Sequence, residues 1–436
     1  MKISKLFYSM VILNFCYIMD RLIIQLFSFN QFKETIKNIL SMKLWMNTKH
    51  VLLYLFLLAV LLRVIVYFLM PSLYGLQSDS IGYYLSAVNG VEYGVFSNYW
   101  PPGFPLLISL FLIMFKSYTL PILTIFLIVL GSLCGLLAYY ISSKLFKNRL
   151  AALLAFLFIC IQPSFLIHSP QLLSDIFAVM IMGIGIYYML VDYENHNRYT
   201  SILIGVVIGF LILIRPDYIF MIIIYFILVI ISNQLLKIKV EKLTLFILAL
   251  MLTLTPWLIY TNIMIGEPVI STNGGVNFYI GNNPTADGRY SEPYGLTSNN
   301  EGYSKGLTYI SNNPLTIISL YFKKLVLLII SPYILPWELP EHHFTISELI
   351  YSYGMNIGFL ITELIGLRGL LLIKKKRLQL FFISLIILIN LTLIPFFVDG
   401  RLILPELLIY TIFGSYYIAR VIELTLKSVE IKKLIN

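Results

Sequence analysis

Asp79, Asp175, Asp217 and Asp399 stand where apolar runs begin or end, and Arg215, Lys323, Lys324 and Arg401 stand at comparable places. A carboxylate can take a proton from an acceptor, and a cation can hold an anionic substrate, so the set suggests a transfer reaction on a charged donor. These groups lie at the lipid boundary, so one substrate is expected to be a lipid itself. Asp79 is the most distinctive of them. It lies in LQSDSIGYYLSAVNGVEYGVFSNYWPPGFP, residues 76 to 105, and no Lys or Arg occurs between Val64 and Phe115 although the chain has 31 in all. An ionisable residue at a membrane edge is a functional candidate by default. Ser78-Asp79-Ser80 and Ser174-Asp175 each precede an apolar run, so helix capping is the competing reading for both acids.

The elements that must position these groups are transmembrane helices. The 436 residues are 59% hydrophobic and 12% charged, about half the charged fraction of an ordinary soluble domain. The net charge of +10 does not point to nucleic acid, because the basic residues form short clusters between apolar runs, where they set topology. Cys16, Cys134 and Cys160 are too few and too scattered for a disulfide framework or a thiolate metal site. Glu341-His342-His343 lies in a Pro-flanked loop and is read as solvated rather than metal-binding. The first thirty residues, broken by Asp20 and Arg21, lack a cleavage site for a signal peptide.

The fold class expected is all-α: a polytopic bundle of about ten (roughly 8 to 13) transmembrane helices. Residues 1–48 read as an interfacial amphipathic segment. Spans are expected at 51–70, 120–143, 150–167, 172–191, 202–214, 218–231, 243–265, 351–373, 378–397 and 402–424. The run 105–115 is too short to cross and reads as re-entrant or surface-bound, and 315–340 as an amphipathic helix followed by a hairpin. Two outer loops are expected, 71–118 and 266–347. Lys144, Lys147, Arg149, Arg198, Lys237, Lys239, Lys242 and Lys374 to Arg377 then share one side, which places both termini in the cytoplasm and Asp79, Asp175, Arg215 and Arg401 on the outer face of the cytoplasmic membrane. Arg63, near the end of the first span, has two readings, a snorkelling side chain and a phosphate contact. A transporter would place its ionisable groups near the midplane, and here the mid-helix positions are almost charge-free.

A first span, Asp79 followed at helical spacing by Tyr83 and Ala87, and then Pro-Pro-Gly-Phe-Pro resemble the GT-C glycosyltransferases of the protein mannosyltransferase and aminoarabinose transferase type. LSD at 173–175, GVVIGFLILIRPD at 205–217, GGVNFYIGNNP at 274–284 and DGRLILP at 399–405 extend the resemblance over residues 50 to 425. It implies that 49–436 is a GT-C-like transmembrane domain that moves a sugar from a polyprenyl-phosphate carrier to a lipid, glycan or protein acceptor. Asp79 matches the first-loop general base and Asp175 the second acidic position. Arg401 matches a basic residue ahead of a late span and is the phosphate partner, with Lys323, Lys324 and Arg215 as further candidates. Many relatives carry a second acid beside the first, and Ser80 stands there in this chain, so dependence on a divalent cation stays open and no cofactor is assigned. Tyr83, Tyr84, Tyr99 and Trp100 have the ring faces to stack on a sugar, and Asn282 in the GNNP turn is a candidate acceptor contact. The cytoplasmic loops are too short for a nucleotide-sugar fold, which agrees with a carrier-linked donor. The rival readings are a polysaccharide polymerase or ligase and a lipid or glycan transporter.

Overall fold

The structure is a computed structural model, and it describes residues 48–195, 197–232, 234–291, 298–335, 338 and 346–435. The interfacial segment expected at 1–48 and the Glu341-His342-His343 cluster lie outside the described residues, apart from Thr48. Among the described residues there is helix and no strand. The helices are α1 (Thr48–Leu69), α2 (Asp79–Tyr93), α3 (Gly103–Phe115), α4 (Thr119–Phe146), α5 (Arg149–Ile161), α6 (Pro163–His168), α7 (Asp175–Asn195) and α8 (Arg198–Ile214). After these come α9 (Phe220–Ile231), α10 (Leu236–Ile265), α11 (Gly274–Gly281), α12 (Asn299–Asn312), α13 (Pro314–Ile330), α14 (Ile346–Leu371), α15 (Lys376–Leu393) and α16 (Leu404–Ile435).

Proline and glycine set many of the breaks. Pro163 and Pro216 open the elements that follow α5 and α8, since a proline lacks the N–H that an interior turn needs. The residue before it is pushed to extended backbone, as Gln162 and Arg215 both are. Seven described helical stretches are long and apolar enough to cross a membrane, or up to eight if α12 and α13, bent by 109° at Asn313, form one span. Three shorter apolar helices, 149–161, 198–214 and 216–231, supplement them. The expected ten is therefore not reproduced as ten full-length spans, because prolines divide some apolar runs into shorter helices.

One local expectation differs from what is found. The run 105–115 is not isolated: it forms α3 and leads through a 3-10 turn at Lys116–Tyr118 into α4, together a 44-residue apolar stretch. The helix expected to open 315–340 is found as α13, which follows α12 at a sharp corner with Pro314 as its first residue, while residues 336, 337 and 339–345, where the hairpin is expected, lie outside the described residues.

The core is one large cluster drawn from α2 to α10 and α13 to α16, with α16 packed against α14, α5, α4 and α7. Its central helix α7 has 21 residues, about 31 Å at 1.5 Å per residue, enough for the ~30 Å hydrocarbon layer. Helices α14 and α16 touch backbone to backbone. A Cβ added at Gly369 would lie 1.9 Å from the Phe413 carbonyl oxygen, so Gly369→Ala must push the pair apart. The expected cost is roughly 1–3 kcal/mol, the usual range for overpacking. It should appear as a lowered melting temperature of the purified protein, and an unchanged melt would show that the helices can separate freely.

The buried cations Arg63 and Lys242 are tied rather than loose. Arg63 neither snorkels nor faces a ligand: it is fully buried. Its guanidinium donates to Ser169 Oγ (3.0 Å) and to the carbonyls of Ala59 (3.1 Å), Gly131 (3.1 Å) and Ile159 (3.4 Å), joining α1, α4 and α5 to the segment after α6. At the far end of α7 from Asp175, Lys242 of α10 pairs with Asp192 at 2.8 Å and Lys144 of α4 with Glu194 at 2.8 Å. Lys242 was expected in a loop, but α10 starts at Leu236 and carries it into the interior.

Candidate active site

Asp79 is the first residue of α2, and the backbone aims it. Ser78 just before it has φ 46° and ψ −126°, a left-handed conformation that a side chain adopts only at a cost of order 1–3 kcal/mol. The turn is closed by Ser80, whose Oγ accepts from the Gln77 N–H (2.6 Å) and donates to the Gln77 carbonyl (2.7 Å). The residue that replaces a second acid is thus buried and turned onto backbone, and it fixes the loop that presents Asp79.

The Pro-Pro-Gly-Phe-Pro turn is buried throughout. A Cβ at Gly103 would lie 2.8 Å from the backbone of Ile214, so the turn seats the first loop against the residue before Arg215. Arg215 ends α8, and its neighbour Asp217 grips it with both oxygens, at 3.1 Å from Nε and 3.1 Å from Nη2. The remaining nitrogen, Nη1, donates to Asp175 at the start of α7. Such paired contacts are the strong, oriented form of the interaction.

The Asp399-Gly400-Arg401 turn stands opposite. Asp399 accepts from the Arg401 backbone N–H (3.1 Å) and from Arg401 Nε (3.1 Å). Arg401 Nη2 reaches Asp79 Oδ2 at 2.7 Å. The two sets belong to one site, for Arg401 is electrostatically coupled to Asp399, Asp175, Asp79 and Arg215 together. Burial works against the Asp399 charge, but the Arg401 guanidinium and backbone N–H and the nearby His168 outweigh it and hold the carboxyl below its ordinary value.

Tyr83, one turn along from Asp79, is buried beside Asp79, Arg215 and Asp175, and burial pushes its hydroxyl up to about 12, so it stays protonated. Its ring meets Trp100 (centroids 4.8 Å apart) and Phe104 (5.4 Å), and Trp100 in turn meets Tyr99 at 4.9 Å. Tyr99 is exposed, while Tyr84 packs against the core. Tyr83, Trp100 and Tyr99 thus form a row of rings that starts beside the acids, and Tyr84 is not part of it.

The other sequence candidates make their contacts elsewhere. Lys324 is buried, its ammonium donates to the carbonyls of Gly281 (2.7 Å) and Ile394 (3.1 Å), and it sits 5.0 Å above the Tyr321 ring. Lys323, the preceding residue of the same helix, is exposed. Asn282 is fully buried, donates to the carbonyls of Phe278 (2.7 Å) and Pro395 (2.6 Å), and accepts from Tyr321 (2.8 Å). The GNNP turn therefore braces the segment leading to Asp399. Two residues at the site carried no sequence signal: His168, at the end of a six-residue helix, and Tyr333, in the segment after α13.

The long loop is tied to the first loop and to the residue before Asp399. The Thr272 N–H donates to the Asn98 carbonyl (2.9 Å), and the Val398 N–H to the Gly288 carbonyl (2.9 Å). Arg289 is turned inward, with Nε and Nη2 on Glu338 at 2.7 and 2.8 Å. An apolar groove of about 290 Å³ between α5, α14 and α16, bordered by Phe158, Gln162, Thr362 and Tyr410, is lined by none of the ion-paired residues.

Residues 100–260 match the family model described as dolichyl-phosphate-mannose-protein mannosyltransferase. Among solved structures, the archaeal oligosaccharyltransferase AglB from Archaeoglobus fulgidus, in complex with an inhibitory peptide and a dolichol-phosphate, aligns with TM-score 0.52 and 16% identity over 89% of this chain and 52% of that one. The fold is of the GT-C type. The Archaeoglobus fulgidus oligosaccharyltransferase tethered through a disulfide to an acceptor peptide containing the NVT sequon aligns with TM-score 0.53 and 14% identity, over 85% of this chain and 49% of that one. The chain spans about half the length of these GT-C structures, and at such identities the likeness is one of fold. No curated protein matches the sequence significantly. The family match includes Asp175 and Arg215, which pair with each other, and does not reach Asp79 and Arg401, which do likewise.

Proposed function

We propose that the chain is an integral membrane glycosyltransferase that moves a sugar from a polyprenyl-phosphate carrier to an acceptor hydroxyl on the outer face of the cytoplasmic membrane. The observation that carries this reading is the Asp79–Arg401 pair at 2.7 Å, a carboxylate and a guanidinium in one place, coupled to a second such pair, Asp175–Arg215. The family and fold likenesses support it. In this reading 49–436 is the catalytic unit, and the loops 71–118 and 266–347 complete the site.

The reaction forms a bond from the acceptor oxygen to the anomeric carbon and breaks the bond from that carbon to the phosphate oxygen. Asp79, whose side chain is 27% exposed, takes the acceptor proton and later releases it to water. The electron pair of the broken bond leaves on the polyprenyl phosphate, and Arg401 meets the charge that develops there. Before donor binds, Asp79 and Arg401 neutralise each other. A phosphate arriving at Arg401 competes with Asp79, so donor binding itself releases the base for the acceptor. Asp175, with a side chain only 6% exposed, is less accessible and serves to hold Arg215 in place.

Two features support the sidedness. The cluster lies at the Asp175 end of α7, and the pairs with Lys144 and Lys242 lie at the Asp192 end. The excess of basic residues marks the cytoplasmic side. Among the described residues no three His, Cys, Asp or Glu side chains meet as a ligand set, and no step here is assigned to a metal ion.

The test is transfer from a radiolabelled polyprenyl-phosphate-sugar pool in membranes, comparing wild type with Arg401→Ala at matched expression. Loss of one charge-assisted phosphate contact, about 1.5–3 kcal/mol, should raise the donor KM by roughly 10- to 150-fold. Lipid-linked sugar that changes sides in the wild type, with no new glycosidic bond, would establish a transporter instead.

A further inference from the structure

The Asp399-Gly400-Arg401 turn rests on a buried aromatic pair that the reaction described above leaves unused. A Cβ added at Gly400 would lie 2.2 Å from the Tyr333 ring, so the glycine sits directly against that ring. The hydroxyl of Tyr333 is 3.3 Å from His168 Nε2, and the two rings stack with centroids 6.0 Å apart. His168 Nδ1 is 2.7 Å from Gln171 Oε1. With Nδ1–H donating to that oxygen, Nε2 is left as the acceptor for the Tyr333 hydroxyl.

Tyr333 is itself held from two further directions. Its N–H donates to Asn356 Oδ1 (3.1 Å), its carbonyl accepts from Asn356 Nδ2 (3.0 Å), and Arg289 Nη2 reaches the same carbonyl at 3.3 Å. Both rings are buried. The Arg401 backbone thus stands on a ring whose tilt is set by α6, α14 and the long loop together.

We infer that His168 and Tyr333 are positioning residues for Arg401, and through it for the donor phosphate. The inference rests on the reading of Arg401 as the phosphate partner. A hydrogen bond from Tyr333 to His168 fixes the ring, the ring fixes the Gly400 backbone, and that backbone fixes the direction in which the guanidinium leaves the turn. An error of about 1 Å at such a point is enough to cost two orders of magnitude in a reaction. The arrangement also responds to protons. His168 faces Gln171 on its own segment, Asp175 at the start of α7, Asp399 and Arg401 on the turn, and the Tyr333 hydroxyl. Burial lowers its pKa below the ordinary histidine value, against the opposing pull of Gln171, Asp175 and Asp399. Below that lowered value Nε2 carries a proton and can no longer accept from Tyr333.

The test uses the full-length protein in detergent and the binding of a short-chain polyprenyl monophosphate, followed across pH alongside thermal melts. Arg401→Ala should weaken binding by roughly 10- to 150-fold, the loss of one charge-assisted contact. Tyr333→Phe, which keeps the ring and removes only the hydroxyl, should weaken it about tenfold, the size of one ordinary hydrogen bond, with a melt close to that of wild type. Wild type should lose affinity as pH falls through the His168 transition, beyond what the phosphate's own titration produces. His168→Gln should bind weakly and lack that extra loss. If Arg401→Ala weakens binding to that extent while Tyr333→Phe and His168→Gln bind as wild type at every pH, the positioning role is wrong and the proposed function stands. If Arg401→Ala binds as wild type, the phosphate reading fails and this inference with it. Should His168→Gln not fold, Tyr333→Phe and the wild-type pH profile still decide the matter.

Discussion

Asp79→Asn should reduce sugar transfer by roughly 10²- to 10⁴-fold, the range a positioned general base contributes, and leave the fold intact. The substitution is nearly isosteric, and the amide oxygen can still accept from Arg401 Nη2, which now sits 2.7 Å from Asp79 Oδ2. What it removes is the capacity to take a proton. Donor binding should be retained or improved, because Arg401 loses a competing carboxylate. The useful comparison is Asp175→Asn, which weakens the hold on Arg215 while Asp217 still grips it through two contacts, so a smaller loss is expected. Transfer assays on both variants at matched expression separate the roles. Full activity in Asp79→Asn with none in Asp175→Asn would move the base to Asp175 and sink the present assignment.

Lys242→Met should destabilise the protein by about 3–5 kcal/mol, the usual consequence of leaving one partner of a buried ion pair in place. Lys242 is fully buried and Asp192 nearly so, at 2.8 Å. The Tyr225 hydroxyl lies 3.4 Å from Asp192 and 2.7 Å from Ser201, so the pair ties α7 to α8, α9 and α10. Methionine keeps most of the volume and removes the charge. The double variant Lys242→Met with Asp192→Leu should recover much of the loss, because two apolar side chains need no counter-ion. Thermal unfolding of the three variants measures this directly. A single variant that melts like wild type would mean that water reaches the pair. Protein that remains folded should retain transfer, since the pair lies at the end of α7 away from the proposed site.

Much of the architecture is readable from local pattern. Runs of apolar residues mark the helices because the cost of placing backbone and charge in hydrocarbon falls on every residue of a span, whatever its neighbours are. The breaks at Pro163 and Pro216 are legible for a similar reason, as one ring removes one donor. Asp79, Asp175, Arg215 and Arg401 stand out because charge at a span boundary is rare. What each charge does there is a different question. Lys324 and Arg63 look like Arg401 in the sequence, each a cation in or beside an apolar run, yet Lys324 is spent on the Gly281 and Ile394 carbonyls and Arg63 on those of Ala59, Gly131 and Ile159.

Membrane class, most helix positions and the charges at the boundaries follow from the amino-acid order alone, since each of these depends on a short window of chain. The partners of those charges follow only from how the helices pack. Asp79 and Arg401 are 322 positions apart, and His168 and Tyr333 are 165 apart. A long side chain at a helix end can turn toward lipid, carbonyl or carboxylate with little difference in local energy, and only the helices packed beside it select among them.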